Sequence, residues 1–190
     1  MQHRAKKFSA RTKAIAATAG VAAVGAGAFG AFSATADTTS AAPAAAPVAV
    51  RSEAVTTSTH LTVEAATDAA RAALDAAEKE GQRVSVAVVD RDGNTLVTLR
   101  GDGAGPQSYE SAVKKAFTAV SWNAPTSELA KRLENAPNLK DIPGTLFLGG
   151  GAPVAHDDAP VAGVGVAGAP SGDLDEKFAR AGVAALGDGS

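Results

Sequence analysis

Between Thr62 and Leu186, the order of the helix and strand patterns constrains the fold more than any other feature of the sequence. One helical pattern is followed by a strand hairpin, two helical patterns, three short strand patterns and a closing helix. This order does not alternate strand with helix, as the βαβ units of parallel sheets do. It therefore predicts an α+β fold, with a mainly antiparallel, five-stranded sheet and helices packed against it.

Four segments carry the signals of helices. The first has Thr62 as a plausible N-cap, apolar residues spaced along one face and Gly81 as a stop. A second helix is predicted over residues 108–121, and Thr126 is expected to cap a short third one. The closing helix is predicted over residues 173–186, with acidic residues at the positive end of its dipole.

The strand predictions rest on β-branched and alternating apolar residues bounded by turn-forming ones. The turns are Arg-Asp-Gly-Asn at 91–94, which makes a hairpin, and the acidic dipeptide at 157–158. The five predicted strands cover residues 83–90, 95–100, 146–148, 152–156 and 161–167.

The N-terminal segment has the features of a secretion signal. A basic stretch that ends at Lys13 precedes an uncharged run over residues 14–36, which closes on an Ala-Thr-Ala cleavage tripeptide. The alternative is a transmembrane helix, but glycine, threonine and serine dilute the run and no basic flank follows it. We therefore expect a signal peptide over residues 1–36 and a secreted, extracellular protein.

The segment over residues 37–58 is rich in alanine, proline and threonine, a composition that buries little and predicts a flexible linker. A single domain is expected over residues 59–188. The sequence has no cysteine, so disulfides, thiolate metal ligands and cysteine nucleophiles are excluded. This domain must therefore be stabilised by its hydrophobic core.

The charge balance argues against nucleic-acid binding. Five of the 18 basic residues lie within residues 1–36, which leaves 13 against the 20 acidic ones and a net charge of −7. Such a surface repels a polyanion, and no stripe of basic residues with interleaved aromatic ones occurs.

Few side chains after residue 36 can do chemistry. The candidates are His60, His156, Tyr109 and Trp122. No serine or aspartate in a triad-like context accompanies either histidine, so no catalytic residue is predicted. The glycine run at 149–151 lacks the lysine and the spacing of a phosphate-binding loop and indicates a turn or bulge.

Two pairs of acidic residues are spaced three apart, as on one face of a helix. They are Asp75 with Glu78 and Asp173 with Glu176. Such a pair can offer two carboxylates to one hard cation. The alternative is a solvated helix face, which is the commoner role of charged helix residues.

Several motifs in this domain are similar to those of the GlcG/HbpS family (DUF336-like), and above all to its secreted haem-binding members. The likeness extends from His60 to the end of the domain. It is carried by HLTVEAA at 60–66, VAVVD at 86–90, DGN at 92–94, GDGAGPQSYE at 101–110, KAFTA at 115–119, SWNAPTSELAKRL at 121–133, IPG at 142–144, VAGVGVAG at 161–168, DE at 175–176 and AGVAA at 181–185.

This resemblance implies a profilin-like fold, a homo-octamer and an extracellular protein that binds b-type haem and iron. It further implies a role in sensing redox stress, as an accessory to a membrane sensor histidine kinase of a two-component system. The alternatives are an enzyme that degrades haem with release of iron, linked to peroxide, or a module that binds a corrinoid or a flavin.

The resemblance also implies site residues. Thr145 is expected to contact haem, and His60, Asp173 and Glu176 to form a surface iron site. Glu110 belongs to a second acidic pair of the family. Its partner position holds Val113 here, so this second iron site is incomplete. Because strong axial donors are few, bound haem is expected to be loosely ligated.

Overall fold

A computed structural model describes residues 49–187 of the chain. The predicted signal peptide and residues 37–48 of the predicted linker lie outside the described residues. Residues 49–58 are exposed. The helices are α1 (Val63–Lys79), α2 (Pro106–Trp122), α3 (Thr126–Lys131) and α4 (Gly172–Ala184), with 3-10 turns at Ser52–Ala54, Arg132–Glu134 and Pro137–Asp141; the strands are β1 (Ser85–Asp90), β2 (Thr95–Arg100), β3 (Gly151–His156) and β4 (Ala159–Ala167).

The predicted cap and stop act at α1, and the acidic residues predicted at the start of α4 lie in its first turn. Thr62 accepts a hydrogen bond from the backbone N–H of Ala65 and caps α1, and Gly81 follows the helix with a φ of +68°. Helix α2 begins at Pro106, before the predicted start, because proline has the helical φ and needs no hydrogen-bond partner in the first turn. Ser171 caps α4 through the N–H of Leu174.

Thr126 does not cap α3, contrary to the prediction. Pro125 occupies the N-cap position, and the Thr126 side chain is fully buried. Its hydroxyl oxygen accepts a hydrogen bond from the backbone N–H of Gly151, at 2.7 Å. The hydroxyl therefore joins α3 to the start of β3, because a buried N–H must find an acceptor.

The four strands form one antiparallel sheet in the order β2-β1-β4-β3, which confirms the α+β class. In the register of the central pair, Asp90 at the end of β1 lies opposite Ala162 near the start of β4. The turn between β1 and β2 and the turn between β3 and β4 therefore lie at the same end of the sheet, which we call the turn end.

The fifth predicted strand, over residues 146–148, is wrong. The backbone N–H of Leu146 donates to the hydroxyl of Thr118 on α2, at 2.8 Å, instead of to a strand. The ring of Phe147 is buried and packs edge-on against Trp122, with ring centroids 5.3 Å apart. Tertiary contacts with α2 thus outweigh the local preference of this segment for a strand.

Helices cover both faces of the sheet. The side chains of Val86 and Val88 face the core shared with α1 and α4, whereas the alternate residues Ala87 and Val89 face α2. Helix α2 lies very close to β4, since a Cβ added to Gly165 would be 2.1 Å from the carbonyl oxygen of Ala112. Among the described helices, none is long and apolar enough to cross a membrane.

Candidate functional site

A cleft of about 450 Å³ opens at the start of α4, at the end of the sheet away from the two hairpin turns. Its walls include Ser127 on α3, Leu148 in the loop before β3, and Ser171 at the N-cap of α4. Lys115 and Asp175 line its floor. The cleft therefore combines an apolar wall with a buried pair of opposite charges.

The buried pair joins three elements of the fold. The ammonium of Lys115 donates to the carboxylate of Asp175 at 2.7 Å and to the carbonyl of Val166 at 3.0 Å. The second oxygen of Asp175 accepts from the backbone N–H of Ala169 at 2.9 Å. Burial raises the pKa of Asp175, and the nearby Lys115 opposes this shift only in part.

Glu176, the next residue on α4, is buried and already hydrogen-bonded. Its carboxylate accepts from the N–H and the hydroxyl of Ser127, at 2.9 and 2.8 Å, and from the guanidinium of Arg180 at 2.8 Å. Burial alone would raise the pKa of Glu176, but the hydrogen bonds from Arg180 and Ser127 together hold it below its usual value. These contacts give Glu176 a structural role between α4 and α3.

Asp173 and Glu176 do share one face of α4, as their spacing predicts. Both line a second, shallow cavity of about 360 Å³, where they meet Lys177 and Arg180. Asp173 is exposed. In this chain the acidic pair is therefore accompanied by two cationic side chains, one of which, Arg180, already holds Glu176.

His60 lies at the turn end of the sheet. Its ring contacts the hydroxyl of Ser58 at 2.6 Å and the carboxylate of Asp92 at 3.7 Å. Because α4 begins at the opposite end, a single chain does not bring His60 to the pair formed by Asp173 and Glu176. The expected iron site over these three residues is thus divided between two ends of the sheet.

Glu110 is exposed on α2 and pairs with Lys114 one turn later, with the ammonium 2.6 Å from the carboxylate. The hydrogen bond from Lys114 lowers the pKa of Glu110. Val113, which stands at the position of the family's second acid, packs against the core between α2 and the sheet. The position of Glu110 offers one carboxylate whose charge a neighbouring lysine already balances.

Thr145 lies in the irregular segment between Pro137–Asp141 and β3. Its hydroxyl donates to the backbone carbonyl of Ile142, at 2.7 Å. Ile142 and Leu148, three positions before and after it in the sequence, are large apolar residues that are 40% and 57% exposed. Thr145 itself is half-buried between them in the sequence.

Lys115 was not among the predicted site residues, although a signal for it exists in the sequence. It stands beside Ala116 and between Ala112 and Ala119, which form the apolar face of α2. A lysine at a core position needs a partner, because an unpaired buried ammonium is costly. The pattern of α2 thus indicates a buried lysine, but only the fold identifies Asp175 as its partner.

Residues 61–184, which are most of the domain, match the model of the HbpS-like family, whose description is "Haem degrading protein HbpS-like". A crystal structure of a double mutant of HbpS from Streptomyces reticuli is 78% identical to the chain. It superposes with a TM-score of 0.75 and covers 76% of this chain and 99% of that one. This high identity extends over essentially the whole solved part of HbpS.

Two more distant relatives carry different names. The crystal structure of a PduOC:haem complex is 29% identical, with a TM-score of 0.61, and covers 67% of this chain and 95% of that one. The corrinoid adenosyltransferase PduO of Salmonella typhimurium is 32% identical over 125 residues. Those residues are 63% of this chain but only 37% of that protein. By the match of its domain and its identity to HbpS, the chain belongs to the HbpS-like family.

Proposed function

We propose that this protein binds haem and takes up iron outside the cell. The observation that carries the proposal is the PduOC:haem complex, because that haem-bound relative aligns with this chain over 95% of its own length. The description of the matching family also refers to haem. Both point to the same ligand class through different relatives.

The described residues meet the two requirements of haem in different degrees. A porphyrin needs an apolar surface and usually an axial ligand. The exposed Ile142 and Leu148, three positions before and after Thr145 in the sequence, offer apolar side chains to a porphyrin. A threonine oxygen is a weak ligand for iron, so we expect the apolar surface to supply most of the affinity and haem to exchange readily.

The direct test is a titration of the purified protein with hemin. Saturable binding should shift the Soret band, and iron analysis of the same sample should show how much metal is retained. An absorbance equal to that of free hemin plus an inert protein would reject haem binding. A corrinoid or flavin that co-purifies with the protein would instead be recognised from its own spectrum.

A second candidate is enzymatic degradation of haem, which the description of the family favours. Loss of the Soret band with release of free iron, over many turnovers and with a defined tetrapyrrole product, would support it. Bleaching of one haem per chain would instead support binding alone.

The wider role that we propose is an extracellular accessory to a membrane sensor kinase, which reports haem or redox stress. It rests on the resemblance in sequence and on the N-terminal signal pattern. Detection of the protein outside the producing cells tests the proposed location. Light scattering of the purified protein measures its mass in solution and so tests the homo-octamer. Co-purification with a membrane histidine kinase tests the partner.

A further inference from the structure

Thr145, the residue expected to contact haem, lies in an irregular segment whose conformation is set by helix α2. Both of its neighbours in the sequence contact that helix. Gly144 faces the ring of Phe117, and the backbone N–H of Leu146 donates to the hydroxyl of Thr118. Because the two helix residues are adjacent in the sequence, one place on α2 holds Thr145 from both sides.

The Thr118 side chain is fully buried, and both hydrogen bonds of its hydroxyl have a definite direction. The hydroxyl accepts from the N–H of Leu146 at 2.8 Å and donates to the carbonyl of Lys114 at 2.7 Å. An N–H can only donate and a carbonyl can only accept, so a lone pair of the hydroxyl points at Leu146. This N–H belongs to the peptide group between Thr145 and Leu146, and Thr118 therefore fixes that peptide.

The ring of Phe117 holds the other side of Thr145. Gly144 has a φ of +81°, and a Cβ at this position would lie 3.5 Å from one edge of the ring. The opposite edge of the ring faces Gly93 in the turn between β1 and β2, where an added Cβ would be 3.0 Å away. Phe117 thus packs between two turns and keeps the turn before Thr145 beside the hairpin turn.

The Thr145 hydroxyl is arranged to offer electron pairs. It donates its hydrogen to the carbonyl of Ile142 at 2.7 Å, and the backbone N–H of Thr145 donates to the same carbonyl at 3.3 Å. A hydroxyl has one hydrogen and two lone pairs, so the lone pairs are what this oxygen can offer to a ligand. Such an oxygen suits an iron ion, which accepts a lone pair, better than an anion, which needs a hydrogen-bond donor.

We propose that Thr118 is the positioning residue for the haem contact at Thr145, and that Phe117 supports the same segment from the other side. Because Thr118 is fully buried, it cannot touch a porphyrin and acts only through Thr145. A weak ligand gains from being held in place, since ordering a segment on binding reduces affinity. This inference rests on the proposed function, because it requires that Thr145 contacts haem.

The test compares hemin binding by variants that differ in one buried hydroxyl. Thr118→Val removes the hydroxyl with little change in shape and should raise the dissociation constant for hemin about tenfold, the lower end of the usual effect of losing an outer-shell partner. Thr118→Ser keeps a hydroxyl and should bind hemin nearly like the parent. Thr126→Val is the matched control, because it removes an equally buried hydroxyl that holds the N–H of Gly151 at 2.7 Å, and it should leave hemin binding unchanged.

A double-mutant cycle separates positioning from a general loss of stability. If Thr118 acts through the Thr145 oxygen, Thr118→Val should cause no further loss of hemin affinity once Thr145→Ala is present. The Soret band of Thr118→Val with hemin should also shift in the same direction as that of Thr145→Ala, since both change the ligand offered to iron. Additive losses in the cycle, or an equal loss in Thr126→Val, would overturn the positioning role.

The remaining outcomes distinguish this proposal from haem binding itself. If circular dichroism shows that Thr118→Val is unfolded, Phe117→Leu, at a half-buried ring, replaces it in the cycle and should show the same non-additive loss. If the parent binds hemin and Thr118→Val or Thr145→Ala binds it equally well, haem binding stands and the positioning role is rejected. If the parent binds no hemin, both proposals are rejected.

Discussion

The ammonium of Lys115 lies 2.7 Å from the carboxylate of Asp175, and both side chains are almost completely buried. One belongs to α2 and the other to the first turn of α4, which lie on opposite faces of the sheet. The pair therefore connects the two helical layers past the end of β4. Each charge depends on the other, because so little of either side chain reaches water that solvent cannot replace the lost partner.

Removing one member of this pair should destabilise the fold strongly. We expect Lys115→Met to lower the free energy of unfolding by about 3 to 5 kcal/mol, since it leaves the Asp175 carboxylate buried and unpaired. Urea denaturation followed by circular dichroism measures the change. The control is Lys114→Met, which breaks a solvent-exposed pair with Glu110 and should leave the stability nearly unchanged. Equal effects of the two variants would contradict a structural role for the buried pair.

Glu176 should contribute to stability in a pH-dependent way. Its pKa is lower in the folded state than in the unfolded chain, so its contribution is complete above the unfolded value and is lost as the pH falls through the folded one. Glu176→Gln should therefore cost about 1.5 to 3 kcal/mol near pH 7 and much less in acid, where the parent carboxyl is protonated too. Denaturation at several pH values measures this difference, with the exposed Glu78→Gln as control. A cost that stays constant with pH would contradict the prediction.

The close contact between α2 and β4 depends on glycine. A methyl group at Gly165 would meet the Ala112 carbonyl at 2.1 Å and the Ala116 nitrogen at 2.5 Å, which are backbone atoms that cannot rotate away. Gly165→Ala should lower the free energy of unfolding by at least about 3 kcal/mol, the upper part of the usual range for overpacking. Thermal unfolding measures the loss. Gly187→Ala is the control, because the nearest atom to its added methyl group lies at 3.6 Å.

Thr145→Ala tests the predicted haem contact. If the hydroxyl contributes, then the dissociation constant for hemin should rise about tenfold, which corresponds to about 1.4 kcal/mol. Thr67→Ala removes a comparable exposed hydroxyl, which donates to the carbonyl of Val63, and should bind hemin like the parent. Unchanged binding in Thr145→Ala would leave His60, His156 and Tyr109 as the axial candidates.

Local sequence signals determined most of the helices and strands. The Thr62 cap, the Gly81 stop, the turn at 91–94 and the β-branched residues of β1 act within a few residues, so the sequence predicts their positions. Segment 146–148 has strand-like residues, but its backbone pairs with Thr118, which lies 28 positions earlier. Its structure therefore depends on a contact that no local pattern contains.

For the candidate sites, the sequence supplied the residue types and the fold supplied their partners. The spacing of Asp173 and Glu176 correctly placed both residues on one face of α4. It did not indicate that Ser127 and Arg180 donate hydrogen bonds to the Glu176 carboxylate. Likewise, nothing near His60 in the sequence indicates Asp92. Ligand sets and buried ion pairs form between distant segments, and their distances are set by sheet register and helix packing, which only the tertiary structure decides.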